Sequence, residues 1–129
     1  MTLPGIGRNI GAVPPNHDPQ LLKGVLSLLL LHLLAEQESY GYEVVQRLQA
    51  VGLTDVLEGT VYPALARLER EGRVTARLVS SSSGPARKYY RPTRAGYQAL
   101  AAGTEIWNRH IEIVSAVLSR PLPRNEDPQ

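Results

Sequence analysis

A basic segment, residues 58–94, holds the side chains of this chain that are best suited to bind an anion. It carries eight arginine or lysine residues against three glutamates, whereas the whole chain of 129 residues has a net charge of only +2. A positive stripe on a nearly neutral protein is typical of a phosphate-binding surface; a solvated charged face is the alternative. The charge distribution therefore favours duplex DNA as a partner. The cations are Arg67, Arg70, Arg73, Arg77, Arg87, Lys88, Arg91 and Arg94.

Catalytic chemistry finds no comparable support in the sequence. The chain has no cysteine, which excludes a disulfide framework, a zinc–thiolate site and a thiol nucleophile. His17, His32 and His110 are not spaced as metal ligands, and the serines at 80–83 lack a partner base and acid. No glycine-rich loop is suited to cradle a phosphate. We therefore predict a protein that is not an enzyme and that has neither a metal site nor a cofactor.

The elements that must position the basic segment begin with two predicted helices. The first, about residues 20–36, is apolar on nearly every side, but it is too short to span a membrane and contains Lys23 and His32. We expect it to be buried on two sides, against its own domain and against a second subunit, with His32 as a buried histidine. The second helix is predicted to begin with Ser39 as its N-cap and to end at Gly52.

A third helix, from about Gly59 to Gly72, carries the candidate base-reading side chains. Thr60 is its expected N-cap, which places Pro63 in the first turn, where a missing N–H costs little. Apolar residues at i, i+4 and i+7 predict the buried face and leave a stripe of small and cationic residues for a DNA groove. The buried face is Val61, Leu65 and Leu68, and the exposed stripe is Thr60, Pro63, Arg67 and Arg70.

Each candidate on this helix has a structural alternative. Arg67 is suited to bind guanine through a bidentate fork, or to form a salt bridge with Glu71 at i+4. Thr60 and Pro63 are small enough to let the helix approach base edges, or they only start the helix. The hydroxyl of Tyr62 is suited to donate to a phosphate, and packing against the second helix is the alternative.

A two-stranded hairpin is predicted after the third helix. Its strands are residues 73–79 and 87–91, and the small residues 80–85 form the tip. We expect Arg87 and Lys88 to bind phosphate, because a hairpin tip has no other use for two adjacent cations. Side chains alternate along a strand, so one of two neighbouring tyrosines must face the core. The residues predicted to point inward are Val74, Ala76, Leu78 and one of Tyr89 and Tyr90.

A long last helix, about residues 94–118, is predicted to begin with Thr93 as its N-cap, because Pro92 stops the preceding strand. Its apolar residues form a heptad seam, which predicts pairing with another helix. Trp107, the only tryptophan, lies on this seam and is expected to pack in a dimer interface. The predicted dimer residues are Leu22, Leu26, Leu29, Leu100, Trp107, Ile111, Val114 and Leu118.

Together these elements predict an α+β fold, mostly α, in which a winged helix-turn-helix precedes a long C-terminal dimerisation helix. The predicted domain organisation is a flexible N-terminal extension at 1–19, a DNA-binding domain at 20–92, the dimerisation helix at 93–118 and a flexible tail at 119–129. Proline and glycine breakers mark the extension, and further prolines mark the tail. The N-terminal extension has an alternative role as an ordered arm that reaches DNA or a partner.

Three sequence blocks resemble the PadR family of bacterial transcriptional regulators, over about residues 20–118. The order of the blocks along the chain makes the resemblance more specific than any one block. They are Ser39-Tyr40-Gly41-Tyr42-Glu43, then Gly59-Thr60-Val61-Tyr62-Pro63-Ala64-Leu65-Ala66-Arg67-Leu68-Glu69-Arg70-Glu71-Gly72, and then Arg87-Lys88-Tyr89-Tyr90 with Thr93-Arg94-Ala95-Gly96.

This resemblance implies a DNA-binding regulator of the short-chain branch, acting in the bacterial cytoplasm at the nucleoid. It implies repression by a homodimer on a palindromic operator, often relieved by a small molecule. A flat apolar effector beside Trp107 is one hypothesis, because the equivalent tryptophan in that branch flanks a pore between subunits. A protein-interaction adaptor is the rival function. The residues expected to contact DNA are Tyr40, Thr60, Tyr62, Pro63, Arg67, Arg70, Arg87, Lys88 and Tyr89.

The chain departs from the family pattern at two positions and in the first strand of its wing. Leu57 stands where a serine or threonine usually precedes the Gly-Thr pair, and Pro92 stands where a leucine usually precedes the last helix. An aromatic residue common in the first wing strand is absent, so we expect no ligand contact from that strand. None of these departures removes a cation from the basic segment.

Overall fold

The computed structural model describes residues 18–124, which form four helices and one three-stranded sheet. The proposed N-terminal extension falls almost entirely outside this range, as do His17 and the end of the proposed tail. The element order is that of a winged helix with a long C-terminal helix. The elements are α1 (Pro19–Glu36), β1 (Ser39–Tyr40), α2 (Gly41–Ala50), α3 (Glu58–Arg70), β2 (Val74–Ser81), β3 (Gly84–Pro92) and α4 (Arg94–Leu118).

The core lies where α1, α2 and α3 meet. Each helix contributes an apolar face of leucine and valine, and burial of one such side chain contributes about 1.5–3 kcal/mol. The predicted inner face of α3 is confirmed, because its three residues are at most 1% exposed. The fully buried side chains on the three helices are Leu30, Leu31, Leu34, Val44, Val45, Leu48, Val61, Leu65 and Leu68.

The sheet is antiparallel in the order β1-β3-β2. The two wing strands turn at residues 82–83, so the hairpin is longer than predicted. Lys88 pairs with Leu78 and Arg87 with Val79, which places both cations along the strand and not at the tip. The inward assignment of Leu78 is wrong, because its side chain is 71% exposed where the wing extends past the core. Val74, at the base of the same strand, is buried as predicted.

Ser39 lies in β1 and does not cap α2, which corrects the predicted helix start. It pairs with Tyr90, and its hydroxyl donates to the Gln37 carbonyl at 3.0 Å. The same hydroxyl accepts from the Arg47 guanidinium at 2.9 Å, which satisfies a fully buried polar group. Tyr40 is the residue before the helix, and its backbone N–H donates to the Glu43 carboxylate at 3.3 Å.

Two further local predictions are corrected on α3 and α1. Helix α3 begins at Glu58 after Leu57, so Thr60 is not its cap and Pro63 lies inside the helix. His32 is not buried, since its side chain is 61% exposed and lies 3.2 Å from the Glu36 carboxylate. Helix α1 is therefore not buried all round at this point, since His32 is exposed while Leu31 and Leu34 of the same turn are buried.

Helix α4 begins as predicted, and the Thr93 hydroxyl accepts from the Gly96 backbone N–H at 3.1 Å. Gly96 is required there, because a Cβ at this position would overlap the Arg73 carbonyl oxygen. Ala99 and Leu100 still pack against the core. Beyond Gly103 the helix leaves the body, and every residue from 104 to 118 is exposed.

Candidate nucleic-acid interface

The exposed face of α3 is the centre of the candidate interface. The buried residues of α3 alternate with exposed ones in the period of an α-helix, which leaves Gly59, Pro63, Ala66 and Arg70 facing solvent. Cavities flank this face on both sides. One lies against the wing and the other against α1. The predicted DNA-binding residues therefore divide into two groups, one on each flank of α3.

The wing-side flank is a cluster of tyrosines and cations around a cavity of about 230 Å³. It joins residues from β1, α3 and β3 that are far apart in sequence, which the antiparallel pairing of β1 with β3 brings together. We call this group the wing-side cluster. Its members are Tyr40, Gly41, Tyr62, Arg87, Lys88 and Tyr90.

Gly41 provides the space for the Tyr62 ring. A Cβ at Gly41 would lie 2.6 Å from the ring carbon Cε1 of Tyr62, which is closer than two carbon atoms can pack. Burial, and then the negative charge of Glu58, raises the pKa of Tyr62 above its ordinary value of 10.0. The phenol therefore stays protonated at neutral pH and keeps a hydroxyl that can donate to a phosphate oxygen.

Arg87 and Lys88 both have partners within the protein, which corrects the assumption that the wing has no other use for them. The Lys88 ammonium donates to the Glu69 carboxylate of α3 at 3.0 Å. That hydrogen bond raises the pKa of Lys88. The Arg87 guanidinium lies 4.5 Å from the centre of the Tyr40 ring, which is a cation–π contact. Arg87 is exposed and forms no ion pair with a described acid, whereas Lys88 must exchange Glu69 for a phosphate.

Tyr89 stands beside this cluster and not within it. Its ring packs edge-on against Tyr40, with 5.3 Å between the ring centres. The guanidinium of Arg77, 5.9 Å from the centre of the Tyr89 ring, donates two hydrogen bonds of 2.8 Å to Glu38. Tyr90 packs against the core, so the prediction that one of the two tyrosines faces inward is confirmed.

The second flank of α3 is a groove of about 600 Å³ between α3 and the first half of α1. Its floor is apolar, with Leu22 and Leu26 only 7% exposed. Its rim is cationic and includes Lys23, which could not be predicted from local sequence because it lies far before Glu58, the first residue of α3. We call it the α1–α3 groove. Its lining residues are Leu22, Lys23, Leu26, Thr60, Pro63, Ala64, Arg67 and Arg70.

The cations of this groove are not paired within residues 18–124. Arg67 makes no salt bridge to Glu71 there, so this alternative for Arg67 is not realised; Glu71 lies 3.9 Å from Arg73. Lys23 and Arg70 likewise form no ion pair with any described acid. The three groups are therefore available to an external anion, in contrast to Lys88 on the other flank.

Trp107 lines a different groove, which lies between α1 and α4 and has a volume of about 530 Å³. Its walls are apolar, with Leu28 and Leu31 on α1 and Ile106 and Val114 on α4. The Trp107 ring is 45% exposed.

The residues predicted to form a dimer interface are not all on the surface. Leu22 and Leu26 lie in the core of their own chain, which leaves little of either side chain exposed for the predicted contact with a second subunit. Leu29 and Leu100 are partly buried against the same core. The other four are exposed on α4: Trp107, Ile111, Val114 and Leu118.

The described helices include none long and apolar enough to cross a membrane. Over the same residues, no three histidine or acidic side chains come together as ligands for a metal ion.

The exposed cationic helix, the two-stranded wing and the long C-terminal helix together form a winged helix, a fold that can place one helix in the major groove of DNA. The model of the Transcriptional regulator PadR-like family matches residues 30–102, which is more than half of the chain. The protein therefore belongs to the PadR-like family of transcriptional regulators.

Individual relatives agree with this assignment. A transcriptional regulator of Mycobacterium tuberculosis is 39% identical over 80 residues, which are 60% of this chain and 71% of the relative. The crystal structure of a PadR-like transcriptional regulator from Bacillus cereus superposes with a TM-score of 0.72 at 37% identity, covering 79% of this chain and 99% of the other. A PadR family regulator from Eggerthella lenta gives a TM-score of 0.73 at 30% identity, covering 80% and 89%.

Proposed function

We propose that this DNA-binding regulator is a cytoplasmic repressor that acts as a homodimer on an inverted-repeat operator, with one α3 in the major groove of each half-site. The observation that carries the proposal is the pairing of two surfaces on one small chain. The face of α3 is cationic and unobstructed, and the face of α4 is apolar and uncovered. The first surface suits DNA and the second suits another copy of the chain.

The free part of α4 supports dimerisation. Residues 104–118 form about four turns of helix that are exposed throughout and face the body only across the groove with α1, and an isolated helix of this length is marginal in water. Its large apolar side chains share one face and are 41–78% exposed. Packing against a second subunit would remove this apolar surface from water, which is the term that stabilises most protein dimers. The residues are Ile106, Trp107, Ile111, Ile113, Val114, Val117 and Leu118.

On the DNA side, we assign base reading to α3 and backbone contact to the wing. Arg67, whose guanidinium forms no ion pair within residues 18–124, can bind guanine O6 and N7, and Thr60 and Pro63 let the helix approach the base edges. Tyr62 and Arg87 present a hydroxyl and a guanidinium from the wing-side cluster to phosphate oxygens. Tyr40 and Tyr89 hold the wing in place through ring contacts and reach DNA only at the edge of the interface.

An effector is proposed for the α1–α4 groove. A planar apolar molecule would stack beside Trp107 and contact α1 and α4 at once. Because α1 also packs against α3, a change in the angle between α1 and α4 would be passed to the DNA-binding face. Titration of planar aromatic compounds with tryptophan fluorescence tests this part, and a diverse panel without quenching or spectral shift would refute it.

The central experiment is selection of bound fragments from random DNA at physiological salt with the full chain. We expect an inverted repeat with half-site centres one helical turn apart, about 10 base pairs, or a multiple of it. A reporter carrying that repeat inside its promoter should then lose expression when the protein is present. Selection of single, unrepeated sites would contradict the dimer, and increased expression would contradict repression.

The assignment of base reading to α3 and of backbone contact to the wing can be tested on the selected operator. Arg67→Ala should reduce discrimination between operator and random DNA, by roughly 1–3 kcal/mol for one bidentate base contact. Arg87→Ala combined with Lys88→Ala should weaken all sequences alike and flatten the dependence of affinity on salt. Equal effects of the two variants on operator and random DNA would contradict the assignment.

A further inference from the structure

We propose that Lys23, together with Arg70, binds the DNA backbone on the flank of α3 opposite the wing, so that the recognition helix is held by cations of the protein on both sides. This inference rests on the proposed function, because it assumes that α3 enters the major groove. It adds a DNA contact from α1, a helix whose sequence predicts only burial, in the core of its own domain and against a second subunit.

The geometry of the major groove requires two anchors. The groove is about 12 Å wide, and a phosphate backbone borders it on each side. A helix with its side chains is about 10–12 Å across, so both of its flanks come close to phosphates when it lies in the groove. The wing supplies Arg87 on one flank of α3. The other flank is the α1–α3 groove, and its cations meet the opposite backbone.

The composition of the α1–α3 groove fits a backbone phosphate. Lys23, Arg67 and Arg70 line it, and no acidic side chain does. None of the three cations forms an ion pair with an acid in the described part of the chain. The acids near the end of α3 are occupied elsewhere, since Glu69 binds Lys88 at 3.0 Å and Glu71 lies near Arg73. A field of one sign therefore fills the groove.

The apolar floor of this groove fixes the position of Lys23. Leu22 and Leu26, on either side of Lys23 along α1, are anchored in the core at 7% exposure. The Lys23 side chain is directed to the rim by the helix period, next to the arginines of α3. Its long apolar stem can lie along the floor while the ammonium remains at the surface. The lysine is thus held on a rigid helix, which lowers the entropy lost when it binds a phosphate.

The experiment measures affinity for the selected operator and for random DNA against salt concentration, for the wild-type chain and three variants. The variants are Lys23→Ala, Lys23→Arg and the control Arg120→Ala, which removes an exposed cation beyond the end of α4. One phosphate contact contributes about 0.9 to the slope of log affinity against log salt. The advantage of wild type over Lys23→Ala should therefore shrink about 3.5-fold between about 50 and 200 mM salt.

We expect this loss on operator and random DNA alike, with Lys23→Arg close to wild type and Arg120→Ala unchanged in slope. Thermal unfolding should show that Lys23→Ala folds normally, since Lys23 is exposed. An unchanged slope for Lys23→Ala, while wild-type binding remains steeply salt-dependent, would overturn this inference and leave the proposed function intact. A wild-type chain whose binding to DNA does not depend on salt would overturn both.

Discussion

At the residue scale, the DNA-facing surface depends on space as much as on charge. Gly41 and Tyr62 show this, because the glycine at the start of α2 makes room for a tyrosine of α3. Tyr62 in turn lines the cavity that Arg87 and Lys88 border. A residue with no side chain therefore decides where the Tyr62 hydroxyl, which we propose to bind phosphate, is positioned.

Gly41→Ala should lower the free energy of unfolding by about 1–3 kcal/mol, because the new Cβ would lie 2.6 Å from the Tyr62 ring and the ring must move. Urea unfolding of four proteins, wild type, Gly41→Ala, Tyr62→Ala and the double variant, measures the effect. In the Tyr62→Ala background the cost of Gly41→Ala should largely disappear. An unchanged cost in that background would show that the clash lies elsewhere.

At the element scale, ion pairs hold the wing to the helical body. Glu38, in the segment before β1, binds Arg77 of β2 through two hydrogen bonds of 2.8 Å. Glu69 of α3 binds Lys88 of β3 at 3.0 Å. Both pairs are exposed, so salt and pH can weaken them.

The Glu38 pair predicts an acid-sensitive contribution to stability. The hydrogen bond from Arg77 lowers the pKa of Glu38 below its ordinary value of 4.5, and the charges of Arg77 and Arg91 act in the same direction. A lowered pKa in the folded state means that the contribution is complete above pH 4.5 and is lost as the pH falls below it. The stability difference between wild type and Glu38→Gln, followed by thermal unfolding, should therefore shrink in acid. In an Arg77→Gln background the pH dependence of the Glu38→Gln effect should be much smaller, because only Arg91 still lowers the pKa of Glu38, and an undiminished pH dependence there would contradict this cause.

The Glu69 pair predicts control of non-specific binding. Glu69→Gln should release Lys88 to the DNA backbone, which raises affinity for random DNA and steepens the salt dependence by about one phosphate contact. Glu71→Gln is the matched control, because it removes the same charge from the end of the same helix without releasing Lys88. Fluorescence anisotropy on random duplexes measures both. If both variants changed the salt dependence of affinity equally, the loss of one negative charge, and not the release of Lys88, would explain the effect.

At the scale of the whole molecule, the exposed half of α4 sets the expected assembly. Val114 lies in the apolar face and lines the groove beside Trp107, and its side chain is 50% exposed in a single chain. Asn108 lies on the polar face of the same helix.

Val114→Asp should dissociate the proposed dimer, because a carboxylate buried in an apolar interface costs several kcal/mol. Asn108→Asp, with the same new charge on the polar face, should remain a dimer. Sedimentation analysis gives the oligomeric state of both, and operator affinity should fall only for Val114→Asp. A monomeric wild type, or a dimeric Val114→Asp variant, would contradict the role of α4.

Much of this protein could be predicted from local sequence. Helical periodicity was enough to find the buried face of α3, and a threonine after Pro92 was enough to place the start of α4. These features depend on residues within one or two turns of each other, so short-range propensity and burial decide them.

Only the tertiary structure decided which side chains share a surface. It paired Ser39 with Tyr90 and so made a strand of a predicted helix cap. It placed Lys23 beside the arginines of α3, and it buried Leu22 and Leu26 in the core of their own chain. Tertiary contacts also explain why Lys88 is paired with Glu69, whereas Arg67 has no acidic partner in the described part of the chain. The basic segment was evident from the sequence because charge is a property of each residue, whereas the division into two flanks of α3 depends on contacts between residues far apart in the chain.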